Sequence, residues 1–349
     1  MNKLHMAVIG YGGMGGWHVD HALKSDVVTL DGIYDIKADR CALAESRGIH
    51  AYASFEEVLA DPQVELLTVA IPNDEHESVC IRALQAGKNV ISEKPVTLSC
   101  ESLQRMIDAA NAAGRIFSVH QNRRWDVDYL AMKQLTETGE IGDLIRIESR
   151  IHGSRGIPSD WRGLKKYGGG MLYDWGVHLI DQILQIIPEP ITGIDCRFDH
   201  ITNDEVDDGF RLDMTFDGGK SAYVEVGTYN FIAMPRFYMR AKKGTAMITD
   251  WREKCQVVKC THWHESEVLP VETAAGLTKT MAPRDELTTD TYALERPASD
   301  VHDYYRNIVA AIRGEATQIV THAQMMRVMR VIEASFTSAE ENRVVECRI

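Results

Sequence analysis

Asp174 and His178 stand four residues apart, directly after three consecutive glycines, Gly168, Gly169 and Gly170. Glycines at this point let the backbone adopt positive φ or come close to a ligand. Leu172, Leu179, Ile180, Ile183, Leu184 and Ile187 recur with helical spacing, which predicts a helix. On such a helix the carboxylate and the imidazole share a face, one turn apart. That pairing suits acid–base chemistry, because the acid can orient the ring and raise its basicity. A surface ion pair or a cap would use the same two residues, so the pair takes its meaning from the rest of the chain.

A second chemical stretch lies at the start. Residues 4–9 form an apolar run ending in Gly10-Tyr11-Gly12-Gly13-Met14-Gly15, and residues 17–23 look helical. Strand, G-x-G-x-x-G and helix in that order are the fingerprint of a dinucleotide loop. Gly10 makes the tight turn, Gly12 admits the pyrophosphate, and Gly15 lets helix and strand pack closely. The helix N-terminus then faces the phosphate charge. Residues 27–34 form the next strand, with Asp35 at its end. A carboxylate there accepts hydrogen bonds from ribose hydroxyls and repels a 2′-phosphate, which favours NAD over NADP. Lys37 and Arg40 weigh on the other side, since either could reach a phosphate.

The elements that must position these groups alternate along the first third of the chain. Ser54 to Glu57 reads as a capping box opening a short helix. Residues 66–70 form a buried strand, followed by Ile71-Pro72-Asn73-Asp74-Glu75-His76 and a helix that Gly87 ends. Residues 89–92 lead into Glu93-Lys94-Pro95. A helix from Ser99 to Gly114 precedes a strand at 116–119 and then His120-Gln121-Asn122-Arg123-Arg124. Each polar cluster follows a strand, and in an open parallel sheet the crevice beyond the strand C-termini binds ligands. The expectation is an α/β chain: a Rossmann nucleotide-binding domain over residues 1–122 and a second domain over residues 123–349.

The second half reads differently. Residues 144–152, 191–200, 209–216, 221–228, 237–241, 246–249 and 255–261 are strand-like, with turns at Asp217-Gly218-Gly219-Lys220 and Lys242-Lys243-Gly244. Successive hairpins imply an open, mostly antiparallel sheet. Residues 274–290 read as an excursion, and 301–313 and 322–338 as terminal helices. Met325, Met326 and Met329 fit helical core better than a cofactor box.

Composition narrows the classes. The chain has 349 residues, 44% of them hydrophobic and 26% charged, as in a globular protein large enough for two cores. Its net charge of −13 opposes nucleic-acid binding. The absence of an apolar run of membrane length, and of a leader-like start, point to a cytoplasmic protein. Seven scattered cysteines argue against a disulfide framework. Cys255, Cys260, His262 and His264 are zinc-ligand types, but their spacing matches no common zinc pattern. No metal is expected.

Taken together, these motifs resemble the glucose–fructose oxidoreductase/inositol dehydrogenase family. The likeness rests on Gly10-x-Gly12-x-x-Gly15-x-x-His18, Pro72-Asn73-x-x-His76, Ala86-Gly87-Lys88-Asn89-Val90 leading to Glu93-Lys94-Pro95, and Gly168–Gly170 followed by Asp174-x-x-x-His178-x-x-Asp181. It runs over essentially the whole chain. The resemblance implies an NAD(P)-dependent oxidoreductase of sugars or inositols with Lys94, Asp174 and His178 catalytic, and a cis bond before Pro95. The cofactor set it implies is Gly10, Tyr11, Gly12, Gly13, Met14, Gly15, Asp35, Ile71, Pro72, Asn73, His76, Glu93, Lys94 and Gln121, with Trp161 and Arg162 reaching in. Substrate contacts are expected from Lys94, Arg123, His152, Arg155, Tyr173, Asp174 and His178, with Arg124 and His120 as further candidates. Trp175 stands where many relatives carry a smaller aliphatic residue. A homodimer or homotetramer through the open sheet is also implied. Two other readings use the same residues: redox-assisted glycoside cleavage through a 3-keto sugar, and a nucleotide sensor without catalysis.

Overall fold

The computed structural model describes residues 2–262 and 268–349; His264 lies outside them. The first half is a five-stranded parallel sheet in the order β2-β1-β3-β4-β5. Its strands are β1 (Leu4–Ile9), β2 (Val28–Tyr34), β3 (Leu66–Val69), β4 (Asn89–Ser92) and β5 (Phe117–Val119). Strands β3, β4 and β5 are buried along their whole length, as parallel strands covered by helices on both faces must be. The helices are α1 (Gly13–Ala22), α2 (Ala38–Ser46), α3 (Phe55–Ala60), α4 (His76–Gln85) and α5 (Cys100–Ala113).

Local chemistry sets their ends. The Ser54 hydroxyl accepts from the Glu57 amide at 3.1 Å, but Glu57 reaches back to the Ala53 amide rather than to Ser54. Ser99 caps α5, and Gly114 ends it in the left-handed region at φ 60°. The polar clusters after β1 to β5 all fall at one edge of this sheet, as the alternation predicts.

The second half begins with α6 (Val127–Thr138) and builds a nine-stranded sheet in the order β15-β12-β11-β10-β6-β9-β8-β7-β16. Its strands are β6 (Leu144–His152), β7 (Ile191–Asp199), β8 (Gly209–Phe216), β9 (Ser221–Gly227), β10 (Phe237–Ala241), β11 (Gly244–Ile248), β12 (Gln256–Cys260), β15 (Thr289–Ala293) and β16 (Val345–Glu346). All neighbours are antiparallel except β6 and β9. The excursion holds a separate hairpin of β13 (Val271–Thr273) and β14 (Gly276–Thr278). One face of the large sheet packs on α7 (Val177–Ile186) and α9 (His322–Glu341). The other carries an ion-pair lattice: Arg146 with Glu148 and Asp213, and Arg150 with Glu148 and Glu225.

Terminal helix α8 (Asp303–Ile312) returns to the first half. Tyr305 meets His18 of α1, and His302 Nε2 lies 2.7 Å from Ser25 Oγ. Helix α9 carries a full capping box between Thr321 and Gln324, and its Glu333 accepts from the Cys100 amide at the start of α5.

Candidate active site

The glycine loop after β1 is shaped by contact. A side chain on Gly10, at φ 90°, would strike the Ala70 carbonyl at 2.3 Å, and one on Gly15 would strike the Gly10 carbonyl at 1.9 Å. At Gly12 and Gly13 a Cβ would meet nothing within 4 Å. The backbone there is open to a diphosphate, and α1 starts at this point. Asp35 accepts from the Tyr11 amide at 2.7 Å and the Lys37 amide at 2.8 Å, which fixes the carboxylate beside the loop. These residues fit a dinucleotide.

The bond between Lys94 and Pro95 is cis. Lys94 Nζ donates to Asp174 Oδ1 at 2.8 Å and to the Asp174 carbonyl at 2.9 Å. Arg162 Nε donates to Asp174 Oδ2 at 3.0 Å. Both carboxylate oxygens are therefore held by cations. Burial opposes the charge on Asp174, but Lys94 and Arg162 overcome it and lower its pKa. Among the described residues no hydrogen bond joins Asp174 to His178, whose Nδ1 is unpartnered.

The cause is local. Leu172–Gly176 is wound as a π-helix, and only from Val177 does the chain become α-helical. A single-turn π segment inside a helix often marks a functional site. The glycines before it are enforced by packing. A Cβ on Gly168 would meet the Leu98 side chain at 2.2 Å, on Gly169 the Arg162 carbonyl at 2.3 Å, and on Gly170 Asp207 Oδ1 at 2.1 Å. Asp207 Oδ2 accepts from the Leu172 amide at 2.8 Å. Burial raises the Asp207 carboxyl to about 8.

His178 is buried, and its Nδ1 has no hydrogen-bond partner among the described residues. Burial first, then the nearby Lys94 and Arg123, hold its pKa well below 6.5. The ring is neutral at ordinary pH.

Behind Lys94 lies a buried cluster that joins three elements. Glu93 Oε1 accepts from His18 Nε2 and from His120 Nδ1, each at 2.8 Å, and Oε2 accepts from the Lys94 amide at 3.1 Å. Burial opposes ionisation of Glu93, but His120 and His18 reverse it and place its pKa well below 4.5. Burial pushes His18 down to about 4. The two imidazole nitrogens and the carboxylate oxygen lie within 4.8 Å of one another, and the contacts to Glu93 have hydrogen-bond lengths.

Several expected contacts are placed elsewhere. His76 is buried with Nδ1 2.9 Å from the Pro95 carbonyl and Nε2 3.0 Å from the Ile71 carbonyl, so it ties two loops together. Asn73 spends its amide on the carbonyls of Tyr167 and Gly168 at 3.1 and 3.4 Å, joining the two halves. His152 alternates with Ser149 and Ile151 on β6 and faces the open side of the sheet, 3.4 Å from Glu225, away from α7. Tyr173 donates to the Leu98 carbonyl at 2.8 Å and packs on Phe336. Arg155 lies on an exposed connection. Arg124 forms a buried bidentate pair with Asp181 at 2.7 and 2.6 Å, clamping α7. Tyr11 is buried with its hydroxyl on Arg47, Gln121 is buried at the end of β5, and Met14 is partly exposed. The Ile71 side chain passes beside Gly10, and Pro72 follows it in the same connection.

Arg123 stays at the site, its Cζ 4.2 Å over the ring of Trp175. Trp161 lies under the Arg162 guanidinium. Asp207 and His18 were outside the expected set, as were Arg236, Asp128 and Gln182. Arg236 pairs with Asp128 at 2.9 Å and bonds Gln182 at 3.1 Å, and Gln182 in turn holds the Arg123 carbonyl at 2.7 Å. Two signals were visible: His18 stood in the motif after the glycine loop without a role, and Asp207-Asp208 stood as an acidic pair just before a strand. Cys255 precedes β12 and Cys260 ends it. A cavity of about 640 Å³ lined by Lys133, Gln185 and Lys220 contains none of the site residues.

A Rossmann half with an open dinucleotide loop, joined to an open-sheet half with lysine, carboxylate and imidazole at the junction, defines a two-part oxidoreductase. Family models agree: the GFO_IDH_MocA oxidoreductase model with an NAD-binding Rossmann fold matches residues 4–121, and the GFO/IDH/MocA C-terminal domain matches 129–247. The chain belongs to the GFO/IDH/MocA family of oxidoreductases. It is 28% identical to the scyllo-inositol 2-dehydrogenase (NADP(+)) IolW of Bacillus subtilis, over 99% of this chain and 96% of that one. It is 30% identical to the myo-inositol 2-dehydrogenase of Thermotoga maritima, over 54% of this chain and 56% of that one. The structure of an NAD-binding protein from Listeria innocua superposes with a TM-score of 0.96 at 42% identity, covering 99% and 100% of the two chains. No helix among the described residues is long and apolar enough to cross a membrane.

Proposed function

We propose that this oxidoreductase is an NAD-dependent dehydrogenase of a secondary hydroxyl on a cyclic polyol, sugar or glycoside, with Lys94, Asp174 and His178 as its catalytic groups. The observation that carries this reading is the Lys94–Asp174 pair beside a neutral His178 whose Nδ1 is unpartnered. The inositol dehydrogenases among its relatives support the substrate class.

A bound nicotinamide supplies the hydride acceptor. His178 takes the hydroxyl proton at its neutral imidazole, as a general base. Lys94 donates to the substrate oxygen and stabilises the charge that develops there. Asp174 holds the ammonium in place from both its carboxylate and its carbonyl. Glu93 fixes the Lys94 backbone from behind. Asp35 supports NAD over NADP through the ribose hydroxyls, although IolW carries NADP(+) in its name.

The test is NADH formation by the purified protein with NAD, and separately NADP, against inositols, free sugars and glycosides. We expect a substrate-dependent rise with NAD, reduced at least about 10²–10³-fold in Lys94→Ala with the Kd for NAD unchanged. A Lys94→Ala variant that keeps most of its activity removes the assignment. A rise with NADP alone reverses the cofactor choice.

A further inference from the structure

Trp175 sits in the π turn between Asp174 and His178, with its ring centroid 6.3 Å from that of His178. The guanidinium over it is anchored: Arg123 Nη1 donates to Asp126 at 3.0 Å, and Gln182 holds the Arg123 carbonyl. Arg123 and Trp175 thus form a rigid cation–π unit beside the catalytic imidazole. A second tryptophan continues the line. The Trp251 ring lies 6.2 Å from that of Trp175, inclined by 37°. It stands in the turn between β11 and β12 and is 42% exposed.

A single exposed tryptophan is ordinary on a protein surface. This one stands on a turn held by hydrogen bonds, and its ring adjoins that of Trp175. Arg296 donates to the Arg252 carbonyl at 2.9 Å and the Trp251 carbonyl at 3.4 Å, and Asp250 accepts from the Arg252 amide at 3.0 Å. The turn is preorganised, which lowers the entropy lost on binding.

We infer that Trp175 and Trp251 form a stacking wall with two successive positions, and that Trp251 receives a second ring linked to the reacting one. The preferred substrate is then a glycoside or disaccharide rather than a free cyclitol or monosaccharide. This rests on the dehydrogenase reading above. Each step between ring centres is about one six-membered ring wide. A ring held at Lys94 and His178 meets Trp175, and only a ring attached beyond it meets Trp251. The C–H face of a sugar ring, or a planar aglycone, packs on the large flat indole surface, while the hydroxyl edge stays in water.

The experiment compares wild type with Trp251→Ala, an exposed turn residue outside the catalytic set. Each is assayed on a free hexose or inositol and on the phenyl glycoside or disaccharide of the same ring. We expect KM for the two-ring compound to rise about tenfold, the loss of one good stacking contact. Its kcat and the KM for the one-ring compound stay within twofold. Equal changes for both compounds, or none, overturn the inference while leaving the dehydrogenase reading intact. If the wild type oxidises nothing in the panel, the dehydrogenase reading fails, and quenching of tryptophan fluorescence decides the subsite. Quenching by the two-ring compound alone, lost in Trp251→Ala, supports it; no quenching overturns it.

Discussion

At the scale of residues, the proposed base, His178, is prepared by its surroundings more than by a partner. Burial and the charges of Lys94 and Arg123 keep it unprotonated, and an Asp hydrogen-bonded to it would have done the reverse. A group titrating well below 6.5 is already competent at neutral pH, so kcat/KM for oxidation should be level across the neutral range. Its acid limb should fall below pH 6.5. His178→Gln should remove that limb and lower kcat about 10²–10⁴-fold. A wild-type acid limb centred above pH 6.5, or a variant with an unchanged profile, takes the base role away from His178.

At the scale of elements, the π turn depends on a residue that the local sequence does not name. Asp207 accepts from the Leu172 amide from 35 positions away, and its carboxyl is raised by burial to about 8 from an ordinary 3.8. The folded state therefore binds this proton more tightly than the unfolded chain. Its contribution to stability is full below pH 3.8 and declines as pH rises through 8. Between pH 5 and 8 that decline is up to about 4 kcal/mol at 1.36 kcal/mol per unit. Asp207→Asn keeps a carbonyl acceptor and has no proton to lose. Denaturant unfolding at pH 5 and pH 8 should show the variant losing less stability over this interval than wild type, with kcat at pH 7 retained. Asp207→Ala leaves the Leu172 amide unpaired and should cost about 1–3 kcal/mol. Equal pH slopes in wild type and Asp207→Asn would mean that Asp207 is ionised in the fold.

At the scale of the molecule, the two halves are held together around the Lys94 loop. His18 of α1 and His120 after β5 converge on Glu93, and Tyr305 of α8 closes over His18. His18 is neutral when folded, with a pKa of about 4 against 6.5, so the unfolded chain gains a proton that the folded one refuses. Its effect on stability is absent above pH 6.5 and grows as pH falls toward 4, reaching about 3 kcal/mol. Unfolding of His18→Gln at pH 7 and pH 4.5 should show a shallower acid loss than wild type; an identical acid loss would show that His18 carries no such burden.

The sequence by itself determined what short-range rules control. The glycine loop, Asp35, the five strand ends and the Glu93-Lys94-Pro95 turn were legible because strand periodicity and glycine sterics act within a few residues. The second sheet was legible as strands, but the parallel pairing of β6 with β9 was not, because a run of alternating residues does not name its neighbour. Tertiary structure decided who pairs with whom. Lys94 meets Asp174 across 80 positions and His18 meets Tyr305 across 287. Packing likewise bound Asp174 to Lys94 and Arg162, tied His76 between two loops, set His152 beside Glu225 on the open side of the sheet, and brought Trp251 beside Trp175. A buried charge or hydrogen-bonding group takes its partner from whatever the packing brings near, and spacing along the chain holds no record of that.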